Sequence, residues 1–266
     1  MSRESHEYST ISVERRDDNI AILTLMRPEA LHALNSVMAT ELVQQFSDWV
    51  VDTQLRCIVI TATGTRAFCV GADLKERNRL DDDGIRRQHA LFRLFLTIRQ
   101  SLDVPVIAAV QGVALGGGAE IALASDIVLA SEEAEFGLPE IGLGIMPGLG
   151  GTQFLPRIIG GGRALEMLLT GDRINAEEAR ECGIVSRIFP RADLLNNALE
   201  RAERIASMPP LAVRSIRRAV QIGGELDLNS GLAYELALHQ RLMASEDRAE
   251  GVRAFVEKRP PSWRGR

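Results

Sequence analysis

Short apolar runs alternate with longer amphipathic segments along most of the chain. Residues Ile11–Val13 and Ile20–Leu25 flank the polar triplet Asp17-Asp18-Asn19, a pattern that predicts a hairpin, and Arg27-Pro28 closes its second strand. From Asn35-Ser36 to Val51 the apolar positions Val37, Met38, Leu42, Phe46 and Val50 recur at helical spacing, with Asn35 or Ser36 as N-cap. Cys57–Thr61, Val106–Val110 and Asp126–Ala130 are short apolar runs bounded by turn residues and read as buried strands. Residues 62–77 read as a loop, and Asp83–Leu102 as an amphipathic helix. The glycine runs Gly148–Gly151 and Gly160–Gly162 bracket a further helical segment. Helices at Arg163–Thr170 and Ala176–Cys182 lead to a last strand, Ile184–Phe189. Buried strands separated by helices predict an α/β fold.

After Pro190 the pattern changes. Asp193–Met208, Leu211–Ile222, Asn229–Ala244 and Arg248–Lys258 read as successive helices with no strand among them. We therefore expect a core over 1–195 and a helical region over 196–266. The apolar residues Leu228, Leu232, Leu236, Leu238 and Leu242 must cover something. The pattern leaves two choices open, packing within the appendage or a subunit interface.

Composition narrows the classes. The 266 residues are 45% hydrophobic and 25% charged, as in an ordinary globular protein. A net charge of −5 argues against nucleic-acid binding, which needs a basic stripe. No apolar run is long enough to span a membrane. The first residues lack an apolar core and carry Glu4 and Glu7, so neither a secretory nor a transit signal is expected. Cys57, Cys69 and Cys182 are odd in number and scattered, which suits a reducing cytoplasm. The four histidines form no metal-ligand cluster, and no metal is expected.

The chemistry concentrates in Gln111–Asp126, where Gly116, Gly117 and Gly118 precede one isolated acid, Glu120, among Ala, Ile, Leu and Val. Burying that carboxylate costs several kcal/mol or leaves it protonated, with a pKa raised by as much as ~3–5 units. Glycine tolerates positive φ and close backbone approach, so N–H groups near Gly117 and the Glu120 carboxyl can face one ligand. Glu140 is a second acid in an apolar, glycine-lined setting, followed by Pro147-Gly148-Leu149-Gly150-Gly151. Two such acids suit general acid–base work; the plainer reading is a helix cap or an ion pair with Arg157. Gly71-Ala72-Asp73 is either a turn capped by Asp73 or the source of a second N–H donor for an oxyanion hole. No GxxxxGK[ST] occurs, and Gly142-x-Gly144 lacks a dinucleotide-binding context. Cys69 reads as a small buried hydrophobe. His32 and His89 read as structural or surface residues, and the helix His89–Arg99 together with Arg77, Arg79, Arg86 and Arg87 as a solvated face.

FCVGADLKE, VIAAVQGVALGGGAEIALASDI, EFGLPEIGLGIMPGLGGTQFLPRIIG, ALEMLLTGDRINAEEA and GIVSRIFP together resemble the crotonase (enoyl-CoA hydratase/isomerase) superfamily, over nearly the whole chain. The resemblance implies a spiral of ββα units followed by a helical trimerisation region, which favours the interface reading and a homotrimer or dimer of trimers. It implies an oxyanion hole from the N–H groups of Ala72 and Gly117, holding an acyl-CoA thioester. It places Ala72, Asp73, Leu74 and Lys75 along the CoA, Gly148 near the second glutamate, and Phe255 and Lys258 at a CoA of a neighbouring subunit. Hydratases of the superfamily resemble this chain in keeping both acids, here Glu120 and Glu140, with Glu120 as base and Glu140 as acid on a shared water. No cofactor beyond the substrate's own CoA is implied. Leu138 stands where many relatives carry Gln, Ala119 replaces a common Cys, and Met243 replaces an aromatic residue, which leaves the acyl preference open; the pocket walls are expected to come largely from Asp81–Leu102. FCVGADLKER also resembles the branch that hydrates methylglutaconyl-CoA and includes RNA-binding homologues. The expected activity is hydration of a trans-2-enoyl-CoA. The alternatives are a hydratase or isomerase on a functionalised acyl-CoA, and an RNA-binding homologue.

Overall fold

A computed structural model describes residues 8–266; Glu4 and Glu7, which carry the argument against a leader, lie outside the described residues. The hairpin forms as expected. Strand β1 (Ile11–Arg15) pairs antiparallel with β2 (Ile20–Leu25), and Asn19 takes the left-handed turn position at φ 66°. Helix α1 (Ser36–Val50) is capped by Asn35, whose side chain accepts from the Met38 N–H. Three ββα units follow. The first is β3 (Cys57–Ala62) and β4 (Ala67–Cys69) with α2 (Leu74–Arg77) and α3 (Asp82–Ser101). The second is β5 (Val106–Val110) and β6 (Val113–Leu115) with α4 (Gly117–Leu123). The third is β7 (Ile127–Ser131) and β8 (Glu135–Gly137) with a 3-10 turn, Pro139–Leu143, then α5 (Gly151–Ile159) and α6 (Gly161–Thr170).

Within each unit the two strands go to different sheets. A six-stranded sheet has the order β1-β2-β3-β5-β7-β10 and is parallel apart from β1; a four-stranded sheet has the order β4-β6-β8-β9. Strands β9 (Arg173–Asn175) and β10 (Arg187–Phe189) flank α7 (Ala176–Glu181). The small sheet corrects the sequence reading, which left residues 62–77 as a loop and saw none of β4, β6, β8 or β9. The strand expected at Ile184–Phe189 is confined to β10.

Strands β3 and β5 are buried at every position because both faces of the large sheet are covered. One face packs against α1 and α3, where Phe46 meets Trp49 and Phe95 at ring-centroid separations of 5.0 Å. The other face presents Ile20, Cys57, Val59, Ile107, Ala109 and Leu129 to Leu194, Ala198 and Ala202 of α8 (Arg191–Ala206). The 195/196 division therefore falls inside a helix that completes the core. Beyond Pro209 come α9 (Pro210–Gln221), α10 (Leu228–Met243) and α11 (Glu246–Glu257). Helix α9 is fastened to the core through Asp126, which accepts from Arg217 Nε at 3.0 Å and Gln221 Nε2 of that helix and from Arg99 Nη2 of α3 at 3.3 Å. The three helices leave Ile216, Val220, Leu228 and Phe255 exposed.

Candidate active site

Strands β4, β6 and β8 are adjacent and parallel, and the chain leaves all three at the same edge of the small sheet. The segments that follow them are Gly71-Ala72, Gly116-Gly117 and Leu138–Glu140. Topology thus collects at one edge residues far apart in sequence.

Close packing holds this edge together. A Cβ on Gly118 would lie 2.0 Å from the Cys69 carbonyl oxygen, so α4 can approach β4 this closely only with glycine there. Gly116 sits at φ 50°, and a Cβ built on it would be 2.9 Å from Glu140 Oε1, which seats the second acid over the start of α4. A Cβ on Gly71 would come within 3.0 Å of the Gly117 nitrogen, so the first loop abuts the helix start. Gly117 is the first residue of α4, and its N–H belongs to the set that a helix leaves unbonded. Around Ala72, Leu34 donates to the Gly71 carbonyl and Asp73 donates to the Leu34 carbonyl; no described residue accepts from the Ala72 N–H.

Glu120 is 2% exposed, and its Oε1 accepts from the N–H groups of Leu149 at 2.7 Å and Gly151 at 2.8 Å. Burial, reinforced by the charge of Glu140, pushes its pKa up to about 7 against the opposing pull of these amides. Glu140 is also raised by burial, and its Oε2 is buried without a hydrogen-bond partner among the described residues. Neither acid pairs with Arg157, which binds Glu225 instead.

Both carboxyls open into one cleft of about 680 Å³, shared with Ala72, Leu74, Gly117 and Gly148. Asp73 and Lys75 do not line it. Asp73 caps α2 and pairs with Arg27 at 2.9 Å, and Lys75 is exposed. Phe255 and Lys258, at the end of α11, also lie outside the cleft; Phe255 is 86% exposed. Three residues read from sequence as surface or structural prove to be cleft wall: Arg77, His89 and Arg93. His89 Nε2 lies 2.7 Å from the position of a Cβ on Gly148. His32, in contrast, is buried structure. Its Nδ1 accepts from the Arg27 N–H, so its Nε2 donates to the Thr63 carbonyl, and burial lowers its pKa. Burial pushes the Cys69 thiol up to about 12, in keeping with a packed hydrophobe rather than a nucleophile. Among the described residues no three His, Cys, Asp or Glu side chains could hold a metal, and no helix is long and apolar enough to cross a membrane.

The two-sheet ββα fold and this cleft define a protein of the crotonase superfamily. The chain belongs to the Enoyl-CoA hydratase/isomerase family, whose sequence model matches residues 15–266. It is 42% identical over 254 residues to the 2,3-dehydroadipyl-CoA hydratase of Escherichia coli, covering 94% of this chain and 97% of that one. It is 37% identical over 253 residues to the short-chain-enoyl-CoA hydratase of Clostridium acetobutylicum, covering 95% and 97%. The crystal structure of enoyl-CoA hydratase from Bacillus anthracis matches with a TM-score of 0.94 at 40% identity, over 97% of this chain and all of that one.

Proposed function

We propose that the protein is a hydro-lyase that reversibly adds water across the double bond of a trans-2-enoyl-CoA, giving a 3-hydroxyacyl-CoA. The observation that carries this reading is the meeting, in one cleft, of a buried and a half-buried carboxyl, both with raised pKa, and two unused N–H groups. The thioester oxygen accepts from the N–H groups of Ala72 and Gly117. As water attacks Cβ, electrons move onto that oxygen, and each donor aimed there is worth about 2.7–4 kcal/mol in the transition state. Glu120, poised near neutrality, takes the proton from the attacking water, and Glu140 delivers one to Cα on the same face. The two carboxyls interact, so a pH–rate profile reports the pair rather than either acid alone. No cofactor is needed beyond the CoA of the substrate, and the three free cysteines suit a cytoplasmic setting.

The proposal extends to assembly as a homotrimer or a dimer of trimers. The apolar residues left exposed on α9–α11, Ile216, Val220, Leu228, Leu232 and Leu236 among them, support it. Phe255 and Lys258 share that helical region and would reach a neighbouring subunit's CoA. Light scattering that reads a monomer would refute this extension.

The test is turnover of crotonyl-CoA by Glu120→Gln and Glu140→Gln. Each is expected to lose about 10²–10⁴-fold in kcat while its circular dichroism matches the parent. Full turnover by either variant would refute the assigned roles.

A further inference from the structure

The cleft carries more positive charge than hydration of a plain enoyl chain requires. Apart from Glu120 and Glu140, its titratable wall residues are Arg77, His89 and Arg93, set among apolar neighbours such as Ile85 and Phe92. Arg77 is half-buried, and burial lowers its pKa. Among the described residues, no carboxylate lies within ion-pair distance of Arg77 or Arg93. The adjacent Glu76 turns away from the cleft: its Oε2 accepts from the Ser36 N–H at 2.9 Å and from Gln88 Nε2 at 2.7 Å. Gln88, a buried residue of α3, also holds Arg77 by accepting from its Nε at 3.2 Å. The Nη1/Nη2 edge of Arg77 is therefore oriented and left without an acceptor among the described residues. That edge has the geometry for a bidentate carboxylate.

We infer that the acyl group this cleft accepts ends in a carboxylate, bound by Arg77 with Arg93 and His89 alongside. The inference rests on the hydratase reading and narrows it from enoyl-CoA thioesters in general to the mono-CoA thioesters of 2-enedioic acids. Position favours the acyl end over the phosphates of CoA. His89 abuts Gly148, next to the Leu149 amide that holds Glu120, and Arg93 follows one helical turn later. The imidazole of His89 and the guanidinium of Arg93 thus stand on the side of the reacting carboxyl, whereas the whole pantetheine arm separates the thioester from the phosphates. Water adds across the double bond as before, and the distal carboxylate is neither consumed nor protonated.

The experiment compares kcat/KM for mono-CoA thioesters of 2-enedioic acids of graded length with the uncharged 2-enoyl-CoA of equal length. The wild-type protein is expected to favour one carboxylated member by about 10- to 100-fold, and Arg77→Gln to reduce that ratio by about tenfold or more. Equal or lower efficiency on every carboxylated member would overturn the inference. So would an Arg77→Gln variant that weakens both substrate types by the same factor, the signature of a phosphate contact. Binding of the saturated pair, a dicarboxylic mono-CoA against its uncharged equivalent, is read by calorimetry and needs no turnover. If neither enoyl thioester is hydrated yet the saturated acid binds selectively, the hydratase reading fails and the carboxylate site stands. If crotonyl-CoA is hydrated and no acid is preferred, the reverse holds.

Discussion

Gly118→Ala is the most economical way to perturb the site without touching a reacting group. Its Cβ would sit 2.0 Å from the Cys69 carbonyl oxygen and 2.7 Å from the Cys69 Cβ, where real contacts essentially never fall below 3.0 Å. Neither atom belongs to a flexible side-chain end. Cys69 lies in β4, which is fixed by pairing with β6, and α4 begins directly after β6, so it cannot swing freely at its N-terminus. Relief needs α4 to recede by about 1 Å. That movement carries the Gly117 N–H and Glu120 away from Ala72, widening the separation across the thioester position. Overpacking of this kind costs about 1–3 kcal/mol of stability. A misplacement of about 1 Å in a catalytic constellation can cost about 10²-fold in rate. The expected variant is therefore folded, lower in Tm, and about a hundredfold slower in kcat, with a smaller change in KM. Loss of enoyl-thioester absorbance gives the rate, and thermal unfolding gives the stability. Gly162→Ala is the control. Nothing lies within 4 Å of its new Cβ, its φ is not positive, and it stands in the first turn of α6. It should be neutral or up to about 1 kcal/mol more stable. Full activity and an unchanged Tm in Gly118→Ala would refute the close approach of α4 to β4 and the geometry built on it.

Two further predictions concern the buried charges. Glu120 is raised in the folded state from the ordinary 4.5 to about 7, so between these values the native state holds more protons than the unfolded chain. Its stabilising contribution is complete below the unfolded pKa and is lost as pH rises through about 7. Glu120→Gln keeps an acceptor for the Leu149 and Gly151 amides and loses the charge. It should gain up to about 3 kcal/mol over the parent at mildly alkaline pH, with little gain in acid; denaturant unfolding that shows no pH-dependent difference would contradict the desolvation argument. Asp126→Asn removes the counter-charge of Arg99 and Arg217, which are 4% and 8% exposed. Breaking a buried pair this way costs about 3–5 kcal/mol, and hydrogen exchange should accelerate most in α9. Uniform exchange across α9 and the sheet would show that Asp126 is not what fastens the helix.

The two acids were visible in the sequence because an isolated Glu in an apolar run has only a few physical fates. Folding must neutralise it, pair it or use it, and the structure shows Glu120 held by amides and Glu140 with an oxygen unpaired. The long helices and the strands of the large sheet were visible for a related reason, since their apolar periodicity repeats often enough to register. Strands β4, β6, β8 and β9 are three residues each, too short for an alternation of period two to declare itself. Arg77 escaped for a different reason, as did the individual side chains His89 and Arg93 within Asp81–Leu102, the region expected to supply the pocket walls. A cleft wall is in contact with solvent, so its residues are patterned like any exposed flank, and hydrophobic periodicity cannot tell a groove from open surface. The segment Asp193–Met208 reads as a helix from sequence, but nothing in it identifies the sheet that Leu194, Ala198 and Ala202 cover.

The small sheet explains why these features coincide. Each ββα unit advances one strand in both sheets, so the ends of β4, β6 and β8 come side by side whatever the length of the helices between them. One end supplies Ala72, the next Gly117 and the third Glu140, while α4 carries Glu120 one turn beyond Gly117. The arrangement fixes donors and acids on rigid strand ends rather than on long loops, which is what a preorganised anion site needs. It also concentrates its costs there. Among the described residues Glu120 has no counter-ion and Glu140 Oε2 no donor, and Gly116 sits at φ 50°. These three costs fall on the strand-end edge, whereas among the buried charges that serve structure Asp126 is paired with both Arg99 and Arg217, and only Arg217 Nη2 is left without a partner among the described residues. That contrast is the physical reason to place the chemistry at the ends of β4, β6 and β8.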